Sequence, residues 1–313
     1  MGVIITASGL SNGSSSYDGD GTGSVVEHLS RAGRAAIDAA GIDDREVGVL
    51  INSGVYRDSN TVEPAIGALI QQGIGLGLTY QRSDPKCFSF DLMNGACGML
   101  NAVQVADSLL ATTGTTRVLL VGGDTHPSTT RQAAGADFPY DLAGAALLLE
   151  RRDGDVGFGR VHSRLLPGPT GVEGFVDTTS MGTRGRSVMT VRRSPDFAES
   201  LLDLAEATAV QALDEAFGPG GGDADSPAAD RAGVVLISSR PTPGFAAALA
   251  ERLRLPLAAG ELPGDTHTAA LAQAYHRADE AGTIAGATAV LFVAAGAGPS
   301  AGAVLYRTPG GER

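Results

Sequence analysis

The chain has 313 residues, 43% of them apolar, which is enough for one large or two medium domains with an ordinary core and too apolar for disorder to dominate. A formal charge of −12 and a single lysine, Lys86, among 23 Lys and Arg residues argue against a binder of nucleic-acid phosphates. No window approaches the ~18 consecutive uncharged apolar residues of a membrane span, and residues 1–8 lack the basic start of a signal peptide, so a cytoplasmic protein without membrane contact is expected.

Apolar periodicity predicts helices over 25–40, 63–73, 98–111, 195–217, 243–253 and 267–281, separated by short buried-strand runs. Three of these runs recur in the same order. Val47-Gly-Val-Leu-Ile-Asn-Ser-Gly is echoed by Gly233-Val-Val-Leu-Ile-Ser-Ser-Arg. Thr116-Arg-Val-Leu-Leu-Val-Gly-Gly is echoed by Thr288-Ala-Val-Leu-Phe-Val-Ala-Ala, and Ala143-Gly-Ala-Ala-Leu-Leu-Leu-Glu by Ala301-Gly-Ala-Val-Leu-Tyr-Arg. The echo divides the chain into two similar α/β halves, 1–155 and 156–313. Strands alternating with helices predict a mostly parallel sheet covered on both faces. Residues 218–230, GPGGGDADSPAAD, read as a solvated loop.

Two cysteines, Cys87 and Cys97, lie ten positions apart without the close pairing of zinc or redox sites, so neither a metal site nor a disulfide framework is expected. Cys87-Phe-Ser-Phe-Asp-Leu reads as a strand, Met93-Asn-Gly-Ala as a turn, and Cys97 opens the following helix. A thiol at such an elbow meets the positive end of the helix, which favours the thiolate that attacks carbonyl carbon. Packing of a small apolar side chain in the core is the competing role, and Cys87 is assigned that role.

The segment Phe90-Asp-Leu-Met-Asn-Gly-Ala-Cys-Gly-Met-Leu-Asn-Ala resembles the nucleophile region of ketoacyl synthase III enzymes. Further landmarks follow in the family's order: Pro64-Ala-Ile-Gly-Ala-Leu-Ile-Gln-Gln-Gly-Ile-Gly, Val118-Leu-Leu-Val-Gly-Gly-Asp, Tyr140-Asp-Leu-Ala-Gly-Ala-Ala and Gly296-Ala-Gly-Pro-Ser-Ala-Gly-Ala-Val-Leu. The resemblance implies an α/β thiolase fold whose two halves carry mixed sheets between helices, and a homodimer. It also implies acyl transfer through Cys97 from a coenzyme A or acyl-carrier-protein thioester, with no permanently bound cofactor. Amides of Cys97 and Ala297 would then stabilise the oxyanion, with Gly296 and Gly298 letting the backbone approach.

The sequence departs from the family where the cysteine's partners belong. The histidine position falls at Ser239 and the asparagine position at Asp265. Serine is a shorter donor and an ionised aspartate only accepts, so decarboxylation of a malonyl thioester is not favoured. His267, two residues on, is the candidate base, and with Asp265 it suits transfer to a hydroxyl or amine acceptor. A histidine that caps the next helix is the competing role. His126 is a weaker candidate, and His28, His162 and His276 read as solvated. Carbon–carbon condensation and an inactive partner subunit are the rival functions. Gly9-Leu-Ser-Asn-Gly fits a hydrolase elbow around Ser11, but no helix follows it, and the 296–302 glycine run has the wrong spacing for a dinucleotide fingerprint.

Overall fold

In the computed structural model the described residues are 1–12, 23–78, 86–112, 114–130, 138–167, 171–179, 181–182, 185–218, 231–296 and 298–310. The N-terminal half contains β1 (Gly2–Asn12), α1 (Val25–Ala40), β2 (Val47–Asn52), α2 (Ile66–Ile74), β3 (Phe88–Asp91), α3 (Gly98–Thr112), β4 (Arg117–Asp124) and β5 (Ala143–Arg152). The short strands β6 (Gly157–Phe158), β7 (His162–Leu165), β8 (Val172–Phe175) and β9 (Thr190–Arg193) follow. The chain then forms α4 (Phe197–Phe217), β10 (Val234–Ser238), α5 (Phe245–Leu253), α6 (Ala270–Glu280), β11 (Ala289–Gly296) and β12 (Ser300–Arg307).

The sheet order is β10-β11-β12-β6-β1-β5-β4-β2-β3, with β7 paired to β12. β2 runs parallel to β4, which pairs antiparallel with β5; β10 runs parallel to β11, which pairs antiparallel with β12. The sequence echo is therefore a repeat of strand pairing. The sheet is not mostly parallel, because no helix separates β11 from β12 or lies among the described residues between β4 and β5, and strands joined without a crossover return antiparallel. β6 bridges the halves, with Phe158 opposite Val3 of β1 and Tyr306 of β12.

Three apolar cores order the layers. Leu29, Ile37 and Ile70 of α1 and α2 cover one side of β2, β4 and β5. Leu201, Leu213 and Leu249 of α4 and α5 cover β10–β12. The central core joins Val103 of α3 and Leu271 of α6 to Leu120 and Leu147 of the first half and Val290 and Val304 of the second. Both buried helices thus meet both half-sheets, which places the start of α3 and the turn before α6 side by side.

Candidate active site

The elbow is fixed by Asp91. Its carboxylate accepts from the Ile66 and Gly67 amides at 2.9 and 2.7 Å, capping the positive end of α2, and from Asn52 Nδ2 at 3.0 Å on the neighbouring strand. After β3 the chain enters a 3-10 turn, Gly95–Cys97, with Gly95 at φ +50°, and α3 begins at Gly98. Glycine suits that left-handed start.

A second turn, His267–Ala269, leads into α6 and lies against this elbow. His267 has φ +47° and is 6% exposed. Its Nδ1 is 2.9 Å from Asp124 Oδ2. A carboxylate only accepts, so Nδ1 carries the hydrogen and Nε2 is left as the basic nitrogen. Asp124 closes β4 and accepts five hydrogen bonds, from the Val55 and Tyr56 amides at 2.8 and 2.6 Å, from His267, and from Thr268 N and Oγ1 at 3.3 and 2.6 Å. Burial pushes this carboxyl up, but His267 and the hydrogen bonds outweigh it and hold Asp124 below the ordinary carboxylate range. The imidazole stacks on Tyr140, centroids 4.3 Å apart.

Asp265 meets His267 at the backbone and not at the ring. Its Oδ1 accepts from the backbone amide of His267 at 2.9 Å and its Oδ2 pairs with Arg193 at 2.5 Å, so it shapes the turn while Asp124 holds the ring. Burial raises the Asp265 carboxyl, against the pull of His267 and Arg193. Ser239 is 2% exposed; its hydroxyl accepts from Ala295 N at 3.0 Å and donates to Ala295 O at 3.4 Å, extending the β10–β11 pairing.

Ala96, Tyr140, Arg193, Asp265, His267 and Gly296 line one small cavity. Cys97 stands beside that cavity with its sulfur elsewhere, 3.8 Å from Ala294 O and 3.7 Å from Ser300 Oγ. Burial pushes its thiol up to about 11, against the pull of Ser300 and the Gly302 backbone. The Cys97 amide, expected to face an oxyanion, donates to Asn94 O at 3.1 Å because the 3-10 turn consumes it. Ala297 lies outside the described residues. Gly296 pairs with Ser300, and Gly298 takes φ +98°. Cys87 lies one residue before β3, partly buried, its thiol pushed up to about 12 by burial.

Two histidines read as solvated are buried. His28, on the inner face of α1, meets Ser11 at 3.1 Å, and His162 on β7 meets Glu215 at 3.0 Å. His276 is partly buried and reaches Ser8 at 2.9 Å, while His126 is buried and holds Ser128 at 2.7 Å. Ser11 sits inside β1, not at a strand-to-helix turn. Among the described residues no group of three or more His, Cys, Asp or Glu could hold a metal, and no helix is long and apolar enough to cross a membrane.

Asp124, Arg193 and Tyr140 escaped the sequence reading as site residues. Asp124 ends a strand that is parallel to its neighbour, where α/β sheets gather ligands, and that position was the available signal.

No protein-family model matches the chain. It is 29% identical over 161 residues to a beta-ketoacyl-[acyl-carrier-protein] synthase III of Rhizorhabdus wittichii, covering 49% of this chain and 45% of that protein. It is 33% identical over 104 residues to the synthase of the same name from Desulfotalea psychrophila, covering 33% of this chain and 29% of that protein. The matched stretches span less than half the length of these curated relatives. Among solved structures, 3-oxoacyl-(acyl carrier protein) synthase III, FabH, of Pseudomonas aeruginosa superposes with TM-score 0.76 at 17% identity, covering 99% of each chain. The priming β-ketosynthase of the R1128 polyketide pathway gives 0.72 at 17%, covering 98% of this chain and 96% of that one. Curated relatives and solved structures thus agree on a ketoacyl synthase III-like chain with the thiolase fold.

Proposed function

We propose that this protein is a thioester-dependent acyltransferase that carries an acyl group from a coenzyme A or acyl-carrier-protein thioester to a small hydroxyl or amine acceptor. It acts in the cytoplasm, in specialised metabolism, as a homodimer. The observation that carries this reading is the buried Asp124–His267 pair at 2.9 Å. It leaves Nε2 basic and directed at the elbow, 3.4 Å from where a Cβ on Gly95 would stand. A base so placed removes the proton an incoming hydroxyl or amine must lose. The thioester supplies the activation, so the reaction needs no resident cofactor or metal. The relatives' names print an acyl-carrier protein, which supports a carrier-bound acyl donor.

Homodimerisation is supported by β3, which ends the sheet with Phe88 62% exposed and leaves one strand edge unpaired among the described residues. Two routes for the acyl group fit the reading. One runs through Cys97, as its place beside the start of α3 supports, and the other passes directly to the acceptor.

A second reading, the inactive partner subunit, is favoured by Ser239 and Asp265, both tied into the fold by hydrogen bonds. The test mixes the protein with acetyl-, butanoyl- and octanoyl-coenzyme A and hydroxylamine and follows free thiol. Release that falls by about a hundredfold in His267→Ala is expected of a lost general base. No release above the uncatalysed rate from the native protein would favour the subunit reading.

A further inference from the structure

We infer that the acyl group moves directly from the thioester to the acceptor, with His267 as the base and no covalent stop on Cys97, because the elbow turns Ala96 toward the dyad. The inference rests on the acyltransferase reading and specifies its chemistry.

Ala96 and Cys97 are consecutive residues of a 3-10 turn, where successive side chains diverge by about 120°. One residue faces the cavity and the other does not. Ala96 is the one that faces it, together with His267, Asp265, Arg193 and Gly296. A Cβ on Gly296 would stand 3.0 Å from the Ala96 Cβ, which fixes the direction of the residue 96 side chain across to the end of β11. The neighbouring Gly95 is the one whose added Cβ would meet His267 Nε2, at 3.4 Å.

Cys97 points into the central core. Its sulfur contacts Ala294 O of β11 and Ser300 Oγ of β12, and a Cβ on Gly302 would come within 3.9 Å of it. The residue is 4% exposed and belongs to the same apolar cluster as Leu100 and Val103. Among the described residues His267 is not a hydrogen-bond partner of the thiol; its ring is held by Asp124 on one side and Tyr140 on the other. A base and a thiol that do not meet cannot form an activated pair.

The base can still act on the acceptor. His267 Nε2 takes the proton from the acceptor O–H or N–H as that oxygen or nitrogen bonds to the thioester carbonyl carbon. The tetrahedral oxyanion collapses, the carbon–sulfur bond breaks, and the leaving thiolate takes the proton back from Nε2. The products are an ester or amide and a free thiol, and the dyad returns to its starting state.

The experiment compares native protein, Cys97→Ala, Ala96→Cys and His267→Ala, each given octanoyl-coenzyme A, with thiol release measured in the presence of hydroxylamine and adducts by intact mass. Direct transfer predicts thiol release from Cys97→Ala within about twofold of native, no acyl adduct on either protein, and loss of release in His267→Ala by about a hundredfold. Ala96→Cys should acquire one acyl adduct, mapped to residue 96, because that substitution places sulfur in the cavity. Thiol release with an adduct on Cys97 that disappears in Cys97→Ala would overturn direct transfer and leave the acyltransferase reading standing. No thiol release from the native protein overturns both. If Ala96→Cys does not fold, the native and Cys97→Ala measurements decide alone.

Discussion

Asp124→Asn is the substitution that most sharply separates a carboxylate that holds a ring from one that merely fills space. The two side chains have nearly the same shape, so the Val55 and Tyr56 amides keep an acceptor on the Oδ1 side. On the other side an NH₂ group replaces the oxygen that accepts from His267 Nδ1, Thr268 N and Thr268 Oγ1. The imidazole must then accept at Nδ1, which moves its hydrogen to Nε2 and removes the base. Turnover should fall by about 10²–10⁴-fold, the range of a lost base and of an imidazole in the wrong tautomer. Thr268 N–H is left facing a donor, a burial penalty of about 1–3 kcal/mol. The lost charge-assisted bonds add to it, so the variant should be less stable by at least ~2 kcal/mol near neutral pH. Asp124 is a depressed carboxylate, so its stabilisation is present above the unfolded pKa of about 4 and fades as pH falls through the folded value. The stability gap between native and variant, measured by urea unfolding, should therefore narrow in acid. Thr268→Val is the control, since it removes one bond to the same carboxylate without disturbing the tautomer. It should be destabilised yet keep turnover within about tenfold of native. Equal turnover losses in Thr268→Val and Asp124→Asn, with unchanged pH–rate profiles, would refute the positioning role and reduce Asp124 to a structural brace.

Asp265 should behave oppositely, because burial raises it: its stabilisation is present below the unfolded pKa of about 4 and lost as pH rises. Asp265→Asn should thus gain on the native protein between acid and neutral pH in urea unfolding, and a steady loss instead would show that the Arg193 ion pair dominates. Ser239→Ala leaves the Ala295 amide unpaired in the core and should cost about 1–3 kcal/mol in thermal or urea unfolding with thiol release unchanged; a large drop in release would return Ser239 to the reacting centre. Labelled malonyl-coenzyme A should release little carbon dioxide with the native protein, since neither Ser239 nor Asp265 offers a free donor to an enolate. Rapid release would promote carbon–carbon condensation.

The fold was legible because its signals are local. Residues 25–40 and 98–111 carry continuous apolar stripes with clear ends, Ser24 capping α1 and Gly41 closing it in the left-handed region, and the structure places helices there within one residue. The recurring strands were visible because strands buried on both faces are rich in Val and Leu, as in Val118–Val121 and Val290–Val293. Strand direction was not legible, because it depends on what joins β4 to β5 and β11 to β12, and apolar runs look alike in either sense. At the site, spacing pointed to His267 and paired it with Asp265, two residues away in sequence, whereas the carboxylate on its ring, Asp124, arrives from a strand 143 residues distant. The orientation of the elbow was hidden for a similar reason. Whether residue 96 or 97 faces the cavity is set by the phase of one 3-10 turn, and a letter string does not fix that phase.

Phe158 carries a consequence beyond the site. β6 is two residues long, yet it is the rung through which one hydrogen-bonded lattice runs from β10 to β3. The Phe158 ring packs on Tyr306 and Phe292 at 4.8 and 5.6 Å, and Tyr306 in turn accepts from the Ile5 amide at 3.2 Å. Halves joined only by a tether could denature one after the other; halves sharing a lattice, an aromatic cluster and two central helices are expected to melt together. The seam between the halves is in this way part of one lattice, and a weakened seam would appear as a second step in the unfolding curve.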